Sequence, residues 1–365
     1  MTSCNKCIIN NNYPEIQFDE NGTCSICKAQ RQYVPAGEDK LLDILNAAKA
    51  RNCEYDALVP LSGGKDSTYI LHLAVHVYKL KVAAMTYDNG LFSPLALENI
   101  RRSVEITKVK HVFCKPNPEL QKKIYRTLFL QSGDICGACD IGTKAHILKV
   151  AEDLKVPLIL YGTSPLEEDS FLPDSIQDIE RFKYILRKSQ QFSKKEINDF
   201  LVYPDMNHFK LSWYKYKGRF GREVRPLFFI PNPTDRYMGE IIAKEMDWKE
   251  DTSKEYSKHF DCIAEPLTNY VRHQIYGYER RLCQYSNMVR RNEVTREKAL
   301  ELYRADDIES KPSNYRDVLH HLGLKEEDLQ TITNNTPLKF ESHTSRMNRL
   351  FARIMKLKQS SGNKK

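Results

Sequence analysis

Pro60-Leu61-Ser62-Gly63-Gly64-Lys65-Asp66-Ser67 closes a short apolar run, residues 55–61, and opens a stretch of helical periodicity that reaches about residue 80. Two adjacent glycines let the backbone turn tightly and approach a ligand with no Cβ in the way. The N–H groups of such a loop and of the helix behind it face outward, an anion site with the helix dipole at its back. Lys65 adds a point charge, and Asp66 can hold a magnesium ion or cap the helix. The glycine spacing is not that of a Walker-type loop, so a standard kinase or GTPase does not follow. The plainer alternative is a capped turn.

Outward from this loop the pattern repeats. A helix is expected from about residue 39 (Leu41, Leu42, Ile44, Leu45, Ala48), and strands at 55–61, 81–87, 111–114 and 156–161. Between them fall helical patterns at about 95–107, 117–130 and 144–154. Strands alternating with helices of this length predict a parallel sheet covered on both faces, an α/β doubly wound fold. Beyond Gly162 lie a polar, acidic stretch and an aromatic-rich, weakly patterned region through 213, then a sheet-like 225–228. From 234 onward helical periodicity dominates (238–246, 267–276, 296–303, 315–322), and 356–365 reads as a frayed basic end. The predicted organisation is 1–35, a cysteine knuckle; 36–235, the α/β domain; and 236–365, a helical region.

The chain has 365 residues, 28% charged and 41% hydrophobic, with a net charge of +8. That describes a globular protein able to accept anionic substrates but short of the charge density that alone indicates nucleic acid. No apolar run reaches the length of a spanning helix, and the first residues lack the apolar region of a signal peptide. A cytoplasmic protein with no membrane partner is expected.

Ten cysteines then require explanation. Cys4-x2-Cys7 and, sixteen residues on, Cys24-x2-Cys27 have the count and spacing of a structural zinc site, which would keep a short polar segment folded. Cys136 and Cys139 form a third pair, which could bind a metal, such as a second zinc with His259, or merely pack. Cys53, Cys114 and Cys283 are expected to be buried small hydrophobes. Glu167, Glu168 and Asp169 could bind magnesium or form a solvated loop. Arg219, Arg222 and Arg225 could grip a phosphate or be surface charge.

The 62–67 stretch resembles the SGGxDS pyrophosphate loop of the N-type ATP pyrophosphatases, the PP-loop superfamily with an adenine nucleotide alpha hydrolase-like fold. The resemblance implies that Ser62, Gly63, Gly64, Asp66 and Ser67 hold the pyrophosphate end of ATP, that Lys65 stabilises its charge, and that residues 86–88, ending in Asp88, and Gly162 flank the adenosine. Lys65 and Asp66 would then be catalytic. The Cys4–Cys27 region, Lys258-His259, the Gly277-x-x-x-Arg281 turn and the Thr295-Arg296-Glu297-Lys298-Ala299-Leu300 helix resemble the N-acetyl sugar amidotransferases of surface-polysaccharide and nonulosonic-acid pathways, lipopolysaccharide among them. That family implies an amidotransferase, in ligase terms AMP- and pyrophosphate-forming, that converts the N-acetyl group of a sugar or nucleotide sugar to acetamidino. It implies magnesium and separate glutaminase and cyclase-like proteins that supply ammonia. Cys136-Gly137-Ala138-Cys139 is instead similar to the pair in tRNA thiolases, although the basic Lys144 that follows is displaced by one position. Under that alternative Cys136, Cys139 and Cys262 carry an iron–sulfur cluster, [4Fe-4S], and the acceptor is a nucleobase, tRNA or another carbonyl.

Overall fold

The computed structural model describes residues 2–30, 33–165, 177–231, 234–251 and 261–334. Among them β1 (Ala57–Pro60), β2 (Val82–Tyr87), β3 (Lys110–Cys114), β4 (Leu158–Leu160) and β5 (Arg222–Val224) form one sheet. All pairings are parallel and the order is β3-β2-β1-β4-β5. The central runs are continuously apolar because alternate residues face opposite layers. Leu58, Ala83 and Met85 belong to one core, and Ala57, Val59, Val82 and Ala84 to the other. The predicted doubly wound α/β fold is therefore present, with its order reversing between β1 and β4.

The described helices are α1 (Ser25–Ala29), α2 (Glu38–Lys49), α3 (Lys65–His72), α4 (Pro94–Thr107), α5 (Pro118–Ser132) and α6 (Cys136–Asp153). They continue with α7 (Ile179–Ser189), α8 (Lys194–Leu201), α9 (His208–Tyr216), α10 (Asp235–Met246), α11 (Glu265–Tyr276), α12 (Arg280–Arg290), α13 (Arg296–Ala305), α14 (Tyr315–Leu322) and α15 (Glu326–Asn334). The C-terminal helices are spread over three cores. Met238, Ile242 and Met246 of α10 join the α2–α3 layer, while Leu267, Val271, Val318 and Leu322 of α11 and α14 close over the opposite one. Leu282, Tyr285 and Met288 of α12 and Ala299 and Leu302 of α13 form a third core with Cys4, Cys7, Ile8, Ile9 and Cys24.

Several expectations need correction. The weakly patterned region after 178 contains three helices, each with a legible cap: Asp178, the Ser193–Glu196 capping box, and Asn207. The helix expected from 144 starts at Cys136, so the central cysteine pair is helical. The fifth strand is Arg222–Val224, and Pro226–Phe228 is a 3-10 turn. Cys283 is buried, but Cys53 and Cys114 are only half-buried. Arg219 pairs with Glu152 and stacks 4.3 Å from the Tyr214 ring, which makes it a structural clamp. Glu167, Glu168, Asp169, Lys258, His259 and the basic tail lie outside the described residues.

Candidate active site and metal centre

The 62–67 loop follows β1, at the carboxyl end of the sheet and beside the reversal of strand order, where open α/β sheets bind ligands. Gly63 adopts φ +79°, and a Cβ there would come 2.3 Å from the Ala96 carbonyl oxygen. Its own carbonyl accepts from Trp248 Nε1 at 3.0 Å, so the loop is braced from behind. Gly64 caps α3 without a side chain, and the first-turn N–H groups of a helix have no internal acceptor. Ser67 Oγ receives the Ser62 N–H at 3.2 Å and donates to the Gly64 carbonyl at 3.1 Å, which closes the loop on itself. Gly162, after β4, lies against it: a Cβ there would sit 2.8 Å from the Asp66 carbonyl carbon and the Ser67 nitrogen.

Lys65 Nζ is shared between Asp66 Oδ1 at 2.8 Å and Asp235 Oδ1 at 2.9 Å. Burial opposes its charge, but the two carboxylates more than offset this and hold its pKa above the ordinary lysine value. Asp88 follows β2 directly, and its Oδ1 accepts from the Gly90 N–H at 3.0 Å.

The opposite wall comes from the C-terminal region. Residues 91–93 and 261–263 pair through Ser93 N to Asp261 O at 3.0 Å and Ile263 N to Leu91 O at 2.9 Å. This places Asp261 beside the loop, with its carboxylate accepting from Ser62 and its pKa pushed up to about 6 by burial. Cys262 follows, and its thiol is raised by burial and then by Cys136 and Cys139. Burial likewise pushes Cys136 up to about 12 and Cys139 up to about 11. Arg280, at the start of α12, acts electrostatically on Cys136, Asp140 and Asp261 together. All six expected loop residues and the three central cysteines thus converge on a single region with groups the sequence did not flag: Asp235, Trp248, Asp261 and Arg280. Those carry no local signal, because the loop and central-cysteine groups they face stand over a hundred positions away.

Cys4, Cys7, Cys24 and Cys27 place their sulfur atoms within 4.8 Å of one another. Cys4–Cys27 is 3.9 Å and Cys7–Cys24 3.8 Å, close to the roughly 3.8 Å edge of a tetrahedron with Zn–S bonds of about 2.3 Å. The Cys24 N–H points at Cys4 Sγ from 3.2 Å and the Cys27 N–H at Cys24 Sγ from 3.4 Å. Thiols this close cannot all ionise: hydrogen bonds from Cys24 and Cys27 push Cys7 down, whereas Cys27 is pushed far up. A dication removes that conflict, so the donor set fits zinc. The three cleft thiols are not drawn within the same distance, among the described residues.

The parallel sheet and the order of its strands define the class: an α/β protein with a doubly wound sheet and a glycine-rich loop after β1. More particularly, residues 250–358 match the family model described as LPS biosynthesis protein WbpG-like, C-terminal domain. Among solved structures it is similar to the U34-tRNA thiolase NcsA from Methanococcus maripaludis with its [4Fe-4S] cluster, at 15% identity and TM-score 0.36, covering 86% of this chain and 91% of that one. It is also similar to NMN synthetase from Francisella tularensis, at 13% identity and TM-score 0.31, covering 60% of this chain and 97% of that one. No curated protein matches it. No helix among the described residues is long and apolar enough to cross a membrane.

Proposed function

We propose that the protein is an ATP-dependent amidotransferase acting on an N-acetylated sugar or nucleotide sugar in lipopolysaccharide or related biosynthesis. The observation that carries this is the joint construction of the cleft: Asp261, within the WbpG-like domain, contacts the PP-loop. The acetamido oxygen attacks the α-phosphorus of ATP and pyrophosphate leaves, giving an O-adenylated imidate. Ammonia then adds to the imidate carbon, AMP departs with the original oxygen, and an amidine remains. In this chemistry the loop N–H groups and Lys65 hold the departing pyrophosphate, and Asp66 and Asp235 position Lys65. Magnesium, held through Asp66, would neutralise phosphate charge. Zinc on Cys4, Cys7, Cys24 and Cys27 would be structural, since four thiolates leave no open position. Ammonia would come from glutaminase and cyclase-like partner proteins, in the cytoplasm.

A second function is favoured by one observation, the gathering of Cys136, Cys139 and Cys262 on the same cleft. Three thiolates can hold a [4Fe-4S] cluster with one iron open, and such a cluster would supply sulfur to an adenylated carbonyl of a nucleobase or tRNA.

The test is acceptor-dependent release of AMP and pyrophosphate from MgATP, with ammonium or sulfide as donor, read with product mass. Replacement of oxygen by NH on an N-acetyl sugar is expected. Replacement of oxygen by sulfur, with iron in anaerobically purified protein, would transfer the assignment to the second function.

A further inference from the structure

Helix α9 carries apolar side chains on two opposite faces. At 100° per residue Leu211 and Tyr214 point one way, and both pack against the core beneath the sheet. Phe209, Trp213 and Tyr216 fall within about 60° of one another on the other side. There Phe209 and Tyr216 are each 80% exposed and Trp213 is 48% exposed. The Trp213 and Tyr216 rings are 6.0 Å apart, and Lys217 Nζ lies 4.9 Å from the Trp213 ring centre. Lys210 shares the flank of Lys217, and Lys215, paired with Glu223, lies on the other. Burying none of its residues fully, the helix spends three large aromatic side chains on solvent.

Its charge setting is equally uneven. Residues 179–225 hold twelve Lys or Arg against five Asp or Glu, an excess of seven in a chain whose total excess is eight. The segment that presents the aromatic ridge is thus strongly basic, as is the sequence of residues 335–365, with eight Lys or Arg against one Asp or Glu.

We infer that α9 is a docking helix for an anionic membrane surface, on which the protein binds peripherally. Aromatic rings on the outermost line of a helix, flanked by lysine stems, suit an interface in which rings enter the acyl boundary and ammonium groups stay among the headgroups. A protein partner would bury the centre of its interface, where lysine is depleted. Single-stranded nucleic acid would need the rings inside a basic groove rather than along a helix crest. The absence of a spanning helix, on which the expectation of no membrane partner rested, does not bear on a surface helix.

Trp213 makes the test direct, because the only other tryptophan, Trp248, is buried against the PP-loop. The full-length protein is mixed with phosphatidylcholine vesicles with and without one-quarter phosphatidylglycerol, and followed by flotation and tryptophan emission. Binding to the anionic vesicles is expected, weakened by salt, with a blue shift absent in Trp213→Phe. The triple variant Phe209→Ser, Trp213→Ser, Tyr216→Ser should lose about tenfold or more in binding, and Lys210→Glu with Lys217→Glu should lose a similar factor with the rings intact. ATP-dependent pyrophosphate release and melting temperature should be unchanged in both. Three results would each overturn the inference: no binding of wild type to anionic vesicles, undiminished binding by both variants, or loss in the triple variant of self-association or of single-stranded RNA binding in place of vesicle binding.

Discussion

The Asp261 carboxylate stands 3.6 Å from where a Cβ on Gly64 would lie and accepts a hydrogen bond from Ser62. Two segments nearly two hundred positions apart thus meet at the 62–67 loop. The region that matches the WbpG-like model is consequently not an appendage to the 62–67 loop but part of its surroundings.

Replacing Gly63 with alanine should damage folding more than replacing Gly64. At Gly63 the new Cβ would meet the Ala96 carbonyl in a left-handed backbone; at Gly64 it would meet only the Ser62 hydroxyl at 3.3 Å and Asp261. A loss of about 1–3 kcal/mol is expected for Gly63→Ala. Gly64→Ala should melt near wild type but bind ATP several-fold more weakly, as calorimetry would show. Equal stability of the two variants would refute the difference.

Lys65→Met should lower pyrophosphate release by about a hundredfold or more, as expected for removal of a charge from the leaving group. Asp235→Asn keeps the lysine and its Asp66 partner, so it should mainly shift the KM for ATP. A kinetic comparison decides; equal activity of Lys65→Met and wild type would remove the lysine from the reaction.

Zinc removal should detach the knuckle from α12 and α13. Arg296 Nε donates to the Cys4 and Cys7 carbonyls, both at 3.0 Å, which gives a physical role to the Thr-Arg-Glu helix. Arg296→Ala is expected to cost about 1–3 kcal/mol and to hasten zinc loss to a chelator. Metal analysis should find one zinc per chain in wild type, and a metal-free protein of unchanged melting temperature would contradict the assignment.

Glu279 supplies a pH dependence. It is fully buried, accepts from Leu282 N at 2.9 Å and Tyr303 Oη at 2.7 Å, and burial pushes its pKa from 4.5 up to about 7. A carboxyl raised on folding costs nothing below its unfolded pKa; the cost grows as pH rises from 4.5 and is complete above about 7. The shift corresponds to a few kcal/mol, about 1.4 per unit. Wild type should lose stability relative to Glu279→Gln across that window, as paired melting curves at pH 5 and 8 would show. Parallel curves would count against it.

Cys136→Ser separates the two functions. Under nitrogen transfer it should leave acceptor-dependent AMP formation largely intact; under sulfur transfer it should abolish iron content and product together.

Much of this protein is legible in the sequence because its information is local. The continuous apolar strands, the alternation of strand and helix, the Ser62–Ser67 loop and the two cysteine knuckles each depend on neighbours within a few residues. So do the caps at Asp178, Ser193 and Asn207, although the hydrophobic pattern of that region hid its helices. Tertiary structure alone decided what stands opposite the loop. Asp235 beside Lys65, Trp248 behind Gly63 and Asp261 beside Gly64 are brought together only when distant segments close over the carboxyl end of the sheet. Spacing along the chain carries no trace of such meetings, since packing between distant elements, not local backbone preference, brings them about.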